Sequence, residues 1–329
     1  MALKIINPGL FTTVQDLGRY GYESYGFTPA GVMDYESYYL VNALLGNDYT
    51  CAVLEMTLYG VTFEVTESTS MATAGAAMEL TINETPFDIG ISIDLIKGDI
   101  VKFGGVTEGA RTYAAFSGGF ALKQELGSYS THTRSSMGGY KGRVLEKGDV
   151  LLVTGKTVNH NLSKINKKLP SDCEIRFIPG QQYDRFDKEA VSVFCSSEYT
   201  VTKDSDRMGC RLDGPAVEAA DSRDILSEPT QFGSIQVPKN GQPIVLLADR
   251  QTAGGYKKIG TVAKVDLPKI AQKKPGEKIT FKEISAKEAL VLYKDSLSAL
   301  TDGTYIETSV KFNDVRRRDA LMIEQLIGG

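Results

Sequence analysis

The sequence predicts a mainly β protein made of two related halves. Short runs of Val, Ile, Thr, Phe and Tyr recur among 33 glycines, the pattern of strands separated by tight turns. Long helical periods are few. A faint internal repeat supplies the duplication. Asp16-Leu-Gly-Arg19-Tyr-Gly21 returns as Asp204-Ser-Asp-Arg207-Met-Gly209, Leu54-Glu55 with Gly60 returns as Ser227-Glu228 with Gly233, and Gly98-Asp-Ile-Val-Lys-Phe103 returns as Gly276-Glu-Lys-Ile-Thr-Phe281. Any one match alone is chance; three in the same order indicate two copies of one design.

Strands are expected at 61–65, 70–74, 100–103, 111–116, 150–153, 174–179, 234–237, 244–248 and 278–281. The 244–248 run, Ile-Val-Leu-Leu-Ala after Pro243, is too short for a helix and reads as a buried strand. Lys97-Gly98-Asp99 and Lys147-Gly148-Asp149 are paired turn signals, each followed by a strand. Three helices stand apart. One opens on Asp34, a good N-cap, carries Tyr38, Val41, Leu44 and Leu45, and stops at Gly46; the shortened spacing of the repeat marks it as an insertion in the N-terminal half. A second opens on the capping-box pattern Ser285-Ala-Lys-Glu288, with Leu290, Tyr293 and Leu297 at helical spacing. A third places Leu321, Ile323, Leu326 and Ile327 near the C-terminus. The polar, lysine-rich stretch 163–171 is the expected linker, which puts the domains at 1–162 and 172–329.

A chain of 329 residues is long enough for two domains, each with its own core. Its 42% apolar and 24% charged fractions are those of an ordinary soluble protein. A net charge of -4 argues against nucleic acid as the main partner, and the basic clusters at 164–168, 273–274 and 316–318 are short and balanced by acids elsewhere. The four cysteines, Cys51, Cys173, Cys195 and Cys210, lack the spacing of a zinc site or a disulfide framework. MALKIINPGL has no signal-peptide core, and no apolar run approaches the ~20 residues that span a bilayer. A cytoplasmic protein with no membrane partner is expected.

The familiar catalytic signatures are missing. Gly155-Lys156-Thr157 has the ending of a phosphate-binding loop, but position 150 is Val where that pattern needs Gly. G-x-S-x-G, G-x-G-x-x-G and H-E-x-x-H are absent. His132 and His160 are the only histidines, so no histidine metal cluster can form within one chain, and His132, in a polar Ser/Thr run, reads as solvated.

What remains are polar loops rich in glycine. The 244–248 strand delivers Asp249 and Arg250 at its end, followed by Gln251, Thr252, Gly254, Gly255 and Tyr256, a set of acceptors, donors and open backbone of the kind a ligand can approach. An adjacent Asp-Arg pair is equally a surface salt bridge on a turn. The 12–34 loop carries Asp16 and Arg19, where tying the backbone and serving a site are even readings. Phe116 to Gly119 with its Gly118-Gly119 pair, Leu126 to Thr131, and Gly138 to Arg143 put three glycine clusters with interleaved hydroxyls in about thirty residues, either tight turns or a backbone cradle.

Taken together, TTVQDLGRYGY, PAGVMD, LLGND, LGSYST with GGYKGR, SDRMGCRLDGP, LSEP with GSIQVP, and GQPIVLLADRQTAGGY resemble the biotin-dependent carboxyltransferase family. That family includes the C subunit of 5-oxoprolinase, the carboxyltransferase part of urea carboxylase (allophanate hydrolase subunit 2) and the Kip antagonist of sporulation control. The likeness runs nearly to Phe281. It departs from the usual pattern at Tyr129, where Arg is more frequent, and at Cys210, where Tyr is usual. The resemblance implies two tandem cyclophilin-like β-barrels with a few peripheral helices. It also implies one subunit of an ATP-dependent 5-oxoprolinase, opening a cyclic amide together with companion subunits of the A type and of the cyclophilin-like B type. The alternatives are a protein antagonising a histidine-kinase inhibitor, or the carboxyltransferase component of a biotin-dependent urea carboxylase. No cofactor is expected on this chain: ATP would serve the complex, and biotin would arrive on a partner, since no Met-Lys-Met acceptor occurs.

Lactams and ureas present a carbonyl oxygen beside an N–H, so a site acting on them needs donors for the first and an acceptor for the second. Asp249, Arg250 and Asp16 are the expected catalytic residues. Arg19, Gly118, Gly119, Ser128, Thr131, Arg207, Gly254, Gly255 and Tyr256 are expected to bind substrate, and no metal is expected.

Overall fold

The structure, a computed structural model, describes residues 2–155, 163–169, 172–221, 223 and 225–308. The third expected helix, His160 and Lys156-Thr157 lie outside the described residues. Nine strands make up the first half: β1 Ala2–Asn7, β2 Phe11–Gln15, β3 Val53–Thr57, β4 Thr62–Val65, β5 Thr69–Ile82, β6 Thr85–Phe87, β7 Ser92–Leu95, β8 Ile100–Phe116 and β9 Val150–Leu152. After β10 Ser163–Ile165, the second half contains β11 Glu174–Pro179, β12 Tyr199–Val201, β13 Gly209–Asp213, β14 Glu228–Pro229, β15 Ser234–Val237, β16 Ile244–Leu246, β17 Ala253–Gly254, β18 Lys257–Val262 and β19 Lys278–Glu283; β20 Ile306–Thr308 follows. The helices are α1 Tyr35–Leu44, α2 Lys188–Ser196, α3 Leu267–Ala271 and α4 Ala286–Thr301. No helix among the described residues is long and apolar enough to cross a membrane.

The two halves differ in closure, which corrects the expectation of two tandem closed barrels. The second half closes in the order β11-β18-β15-β16-β13-β12-β19, a mixed barrel because β11 runs parallel to β19. The first half is an open sheet, β2-β3-β8-β4-β1-β9, with β5 paired to β8 and carrying β6 and β7. Its end strands are held apart by the segment between β8 and β9. The Thr131 and Leu145 amides donate to Val14 O and Thr12 O of β2, both at 3.0 Å, and Ala121 N donates to Leu152 O of β9 at 2.8 Å. Loop backbone thus satisfies the edge groups that a closing strand would otherwise take.

Strands expected at 100–103 and 111–116 are the two ends of the single strand β8. Its pairing with β5 slips between Gly75 and Leu80, and such bulges break the period-2 alternation by which a long strand is read. Both expected helix starts form: Asp34 accepts the Ser37 amide, and Ser285 and Glu288 close the capping box. Helix α2 was not expected. Asp187 caps it and Phe194 stacks on Phe281 with ring centroids 4.3 Å apart, closing one end of the barrel core around Phe177 and Tyr199. The expected linker instead supplies β10, which pairs with β20.

Three glycine turns share one local geometry. Gly98 N donates to Val65 O while Val65 N donates to Asp99 O, and Gly276 with Val201 and Gly148 with Ile5 repeat that reciprocal arrangement. In each turn the glycine has φ near +90° (92°, 89° and 92°), which an L side chain rarely adopts.

The halves also exchange residues across their seam. Met33, from the loop before α1, packs in the core of the second half. In return Gln272, after α3, accepts the Ala110 and Arg111 amides through Oε1 and donates to Arg111 O and the Asp34 carboxylate.

Candidate functional site

The seam carries the charged residues that the sequence singled out. At the end of β2, Asp16 accepts hydrogen bonds from Gly18 N (2.9 Å), Ser128 Oγ (2.6 Å), Tyr129 N (2.7 Å) and Ser130 Oγ. Thr131 Oγ donates to Val14 O at 2.9 Å. The hydroxyls of Ser128, Ser130 and Thr131 therefore pin the 128–131 turn to β2. Ser130 O in turn accepts from Arg19 Nη2. The Gly138-Gly139 pair lets the next turn close over them. A Cβ at 138 would stand 2.1 Å from Ser130 O and 2.6 Å from Arg19 Nη2, and one at 139 would stand 1.8 Å from Thr131 Oγ. Arg19 is left 1% exposed, and its Nε and Nη1 have no hydrogen-bond partner among the described residues. Burial pulls its pKa below the ordinary value, against the pull of Asp16, Glu125 and Asp249.

From the barrel, β16 delivers Asp249 and Arg250, and Asp249 N is anchored on Arg207 O at 2.8 Å. The Asp249 carboxylate pairs with Arg207, not with its neighbour Arg250: Nε and Nη2 of Arg207 reach its two oxygens at 2.9 Å each. Arg207 also donates to Glu55 and, at 2.6 Å, to Gly31 O. Glu55 accepts further from Met33 N (2.8 Å) and Tyr113 OH (2.9 Å). Burial alone would lower the Arg207 pKa, but Asp249 and Glu55 outweigh it and hold the guanidinium above its usual value. Arg250 is 6% exposed; its carbonyl accepts Thr28 Oγ at 3.0 Å and its Nε is without a partner among the described residues. Burial lowers its pKa, opposed by Tyr20, Glu23 and Asp249.

Asp16, Arg19, Ser128, Thr131, Arg207, Asp249 and Arg250 thus come together at the seam. Other expected residues do not join them. Gly118 and Gly119 lie against Gly155, Thr154 and Cys51, with Gly118 N donating to Asn47. Gly254 packs on Gln236, while Gly255 and Tyr256 line a separate cavity of about 310 Å³ with Asp221 and Lys257. Among the described residues no group of His, Cys, Asp and Glu is placed to hold a metal ion.

Sequence reasoning missed Glu55 and His132. Glu55 stood within the repeat, but nothing in its neighbourhood marked it as charge-paired. His132 is 8% exposed, not solvated, with Nδ1 2.9 Å from Ser135 Oγ. Burial pushes its pKa down; Asp249 raises it, and Arg19, Arg207 and Arg134 lower it further. The sign for stability follows from linkage. Between the ordinary pKa near 6.5 and the lower folded value, the unfolded chain binds a proton that the folded chain refuses, so stability falls as pH falls through that window. Asp34, whose carboxyl is raised by burial and by Glu36, acts in the opposite sense. His132→Gln should therefore reduce the loss of melting temperature as pH falls below about 6.5. An unchanged slope would place the titration elsewhere.

Residues 25–283 match the family model described as "Carboxyltransferase domain, subdomain A and B". The chain is 35% identical over 299 residues to the C subunit of 5-oxoprolinase from Haemophilus influenzae, covering 88% of this chain and 96% of that protein. It is also 35% identical over 294 residues to the corresponding C subunit from Escherichia coli, covering 89% and 94%. The crystal structure of the K. lactis urea amidolyase superposes with a TM-score of 0.85 at 27% identity, over 94% of this chain and 21% of the larger one. The matched residues span the open sheet from β3 onward and the closed barrel, while β1, β2, Asp16 and Arg19 precede them, and the chain belongs to the family that contains the 5-oxoprolinase C subunits and the biotin-dependent carboxylases.

Proposed function

We propose that this chain is the carboxyltransferase-family subunit of an amide-activating complex, and that its substrate is the cyclic amide 5-oxoproline, opened to glutamate with partner subunits that use ATP. The observation that carries the reading is the set of bare, buried N–H donors on Arg19, after β2, and on Arg250, the residue that follows Asp249. As an amide is attacked, negative charge grows on its oxygen, and fixed donors in a water-poor setting are worth most there. Asp249 accepts the amide N–H, its carboxylate oriented by both arms of the Arg207 fork. Asp16 is spent on the 128–131 turn and acts as a positioning residue for Arg19.

Near end-to-end correspondence with two 5-oxoprolinase C subunits supports the lactam as substrate. A second reading, carboxyl transfer to urea from biotin carried on another chain, is favoured by the likeness to urea amidolyase. Biotin's ureido ring, a carbonyl beside N–H groups, fits the same donors and acceptor. Under both readings the partner completes the site by covering the seam and excluding water.

The purified single chain should turn over neither 5-oxoproline nor urea. With its companions added, ATP hydrolysis should respond to 5-oxoproline and not to urea or allophanate, and avidin should leave the rate unchanged. Stimulation by urea that avidin blocks would establish the second reading. Turnover of 5-oxoproline with ATP by the chain alone would sink the idea that it works only within a complex.

A further inference from the structure

We propose that Arg19 and Arg250, besides meeting the amide oxygen, bind a carboxylate that the substrate carries next to its amide; the inference rests on the amide-activation reading and deepens it. A guanidinium has five N–H donors and no acceptor. Arg19, 1% exposed, places Nη2 on Ser130 O and leaves Nε and Nη1 bare; Arg250, 6% exposed, leaves Nε bare. A buried donor without a partner carries a real penalty, larger when the group is charged. These two cations therefore need an explanation.

The nearby carboxylates do not provide one, because none of them accepts a hydrogen bond from either guanidinium; Glu125 accepts Gly138 N and Glu23 accepts Gly21 N instead. Asp16 serves Gly18 N, Ser128, Tyr129 N and Ser130. Asp249 is taken by the Arg207 fork, and Glu55 by Arg207, Tyr113 and Met33 N. Three buried nitrogens, with four N–H groups between them, thus lack an acceptor among the described residues.

Counting lone pairs decides the ligand class. An amide oxygen offers two acceptor sites, too few for four bare N–H groups, whereas a carboxylate adds about four and matches the planar fork of a guanidinium. The charge should be single. Asp16, Glu125 and Asp249 act on Arg19, and Glu23 and Asp249 act on Arg250, so a dianion such as a phosphate would meet the repulsion of four carboxylates. A monoanionic carboxylate attached to a lactam or ureido group satisfies the donors without that repulsion.

Calorimetric titration of the full chain at low ionic strength tests this with 5-oxoproline, pyrrolidin-2-one, which is the same lactam without the carboxylate, and cyclopentanecarboxylate, which has no amide. 5-Oxoproline should bind at least ~10-fold tighter than pyrrolidin-2-one, as expected when a charge-assisted contact is lost. Arg250→Gln and Arg19→Gln should each reduce that preference at least ~3-fold; if Arg19→Gln lowers the melting temperature sharply, Arg250→Gln decides. Equal affinity for the two lactams, a preference that survives in Arg250→Gln, or no binding of either carboxylate overturns the subsite. The amide reading fails separately. If cyclopentanecarboxylate binds as tightly as 5-oxoproline and the arginine variants weaken both, the carboxylate subsite stands and amide recognition does not.

Discussion

Arg207→Met should lower the stability of the protein by about 3–5 kcal/mol, the loss typical when one member of a buried ionic network is removed. Glu55 and Asp249 are 1% and 6% exposed, and both direct a carboxylate at this guanidinium. Removing it leaves two negative charges buried together. The geometry predicts a further consequence, because Glu55 comes from the open sheet and Asp249 from the barrel side. Losing the link between them should turn a single chemical-denaturation transition into two, as the halves unfold separately. The double change Glu55→Gln with Asp249→Asn in the Arg207→Met background should recover part of the loss. A loss below about 1 kcal/mol with one transition would mean that water reaches these carboxylates and the seam is not dry.

Arg250→Ala should behave in the opposite way. Its Nε has no partner among the described residues, and removing a buried cation without a full set of partners also removes its desolvation cost. The melting temperature should stay within a few degrees of the parent. The complex should meanwhile lose about 10²–10³-fold in kcat, the effect of deleting one preorganised donor to a developing oxyanion. Arg250→Lys, which keeps the charge without the fork, should recover only part of the rate. Retained activity with a large fall in melting temperature would make Arg250 a structural cation and remove it from the site.

Much of the local structure was legible because its causes are local. The Asp34 cap, the Ser285/Glu288 capping box and the Gly98 and Gly148 turns each depend on a side chain or a φ value within a few residues, and each forms. Strands with clean boundaries, at 174–179 and 234–237, were placed to the residue. Legibility failed where the cause is distant. Strand β8 was divided because its bulged pairing with β5 masks the alternation. Helix α2 was missed because the packing of Phe194 on Phe281, 87 positions along the chain, is not visible in nine residues of ordinary helix propensity.

The candidate site divides along the same line. Residue types, the family motifs and the mainly β class were properties of the sequence by itself. Tertiary structure alone decided how far each half closes, since that depends on whether loop backbone or a strand takes the edge hydrogen bonds of β2 and β9. It also decided which charges pair. Adjacent Asp249 and Arg250 looked like partners, yet in the fold Arg207, distant in sequence, claims the carboxylate and leaves Arg250 with a donor to spare. Ion pairing is set by distance and desolvation in three dimensions, and neither can be read from the order of residues along a chain.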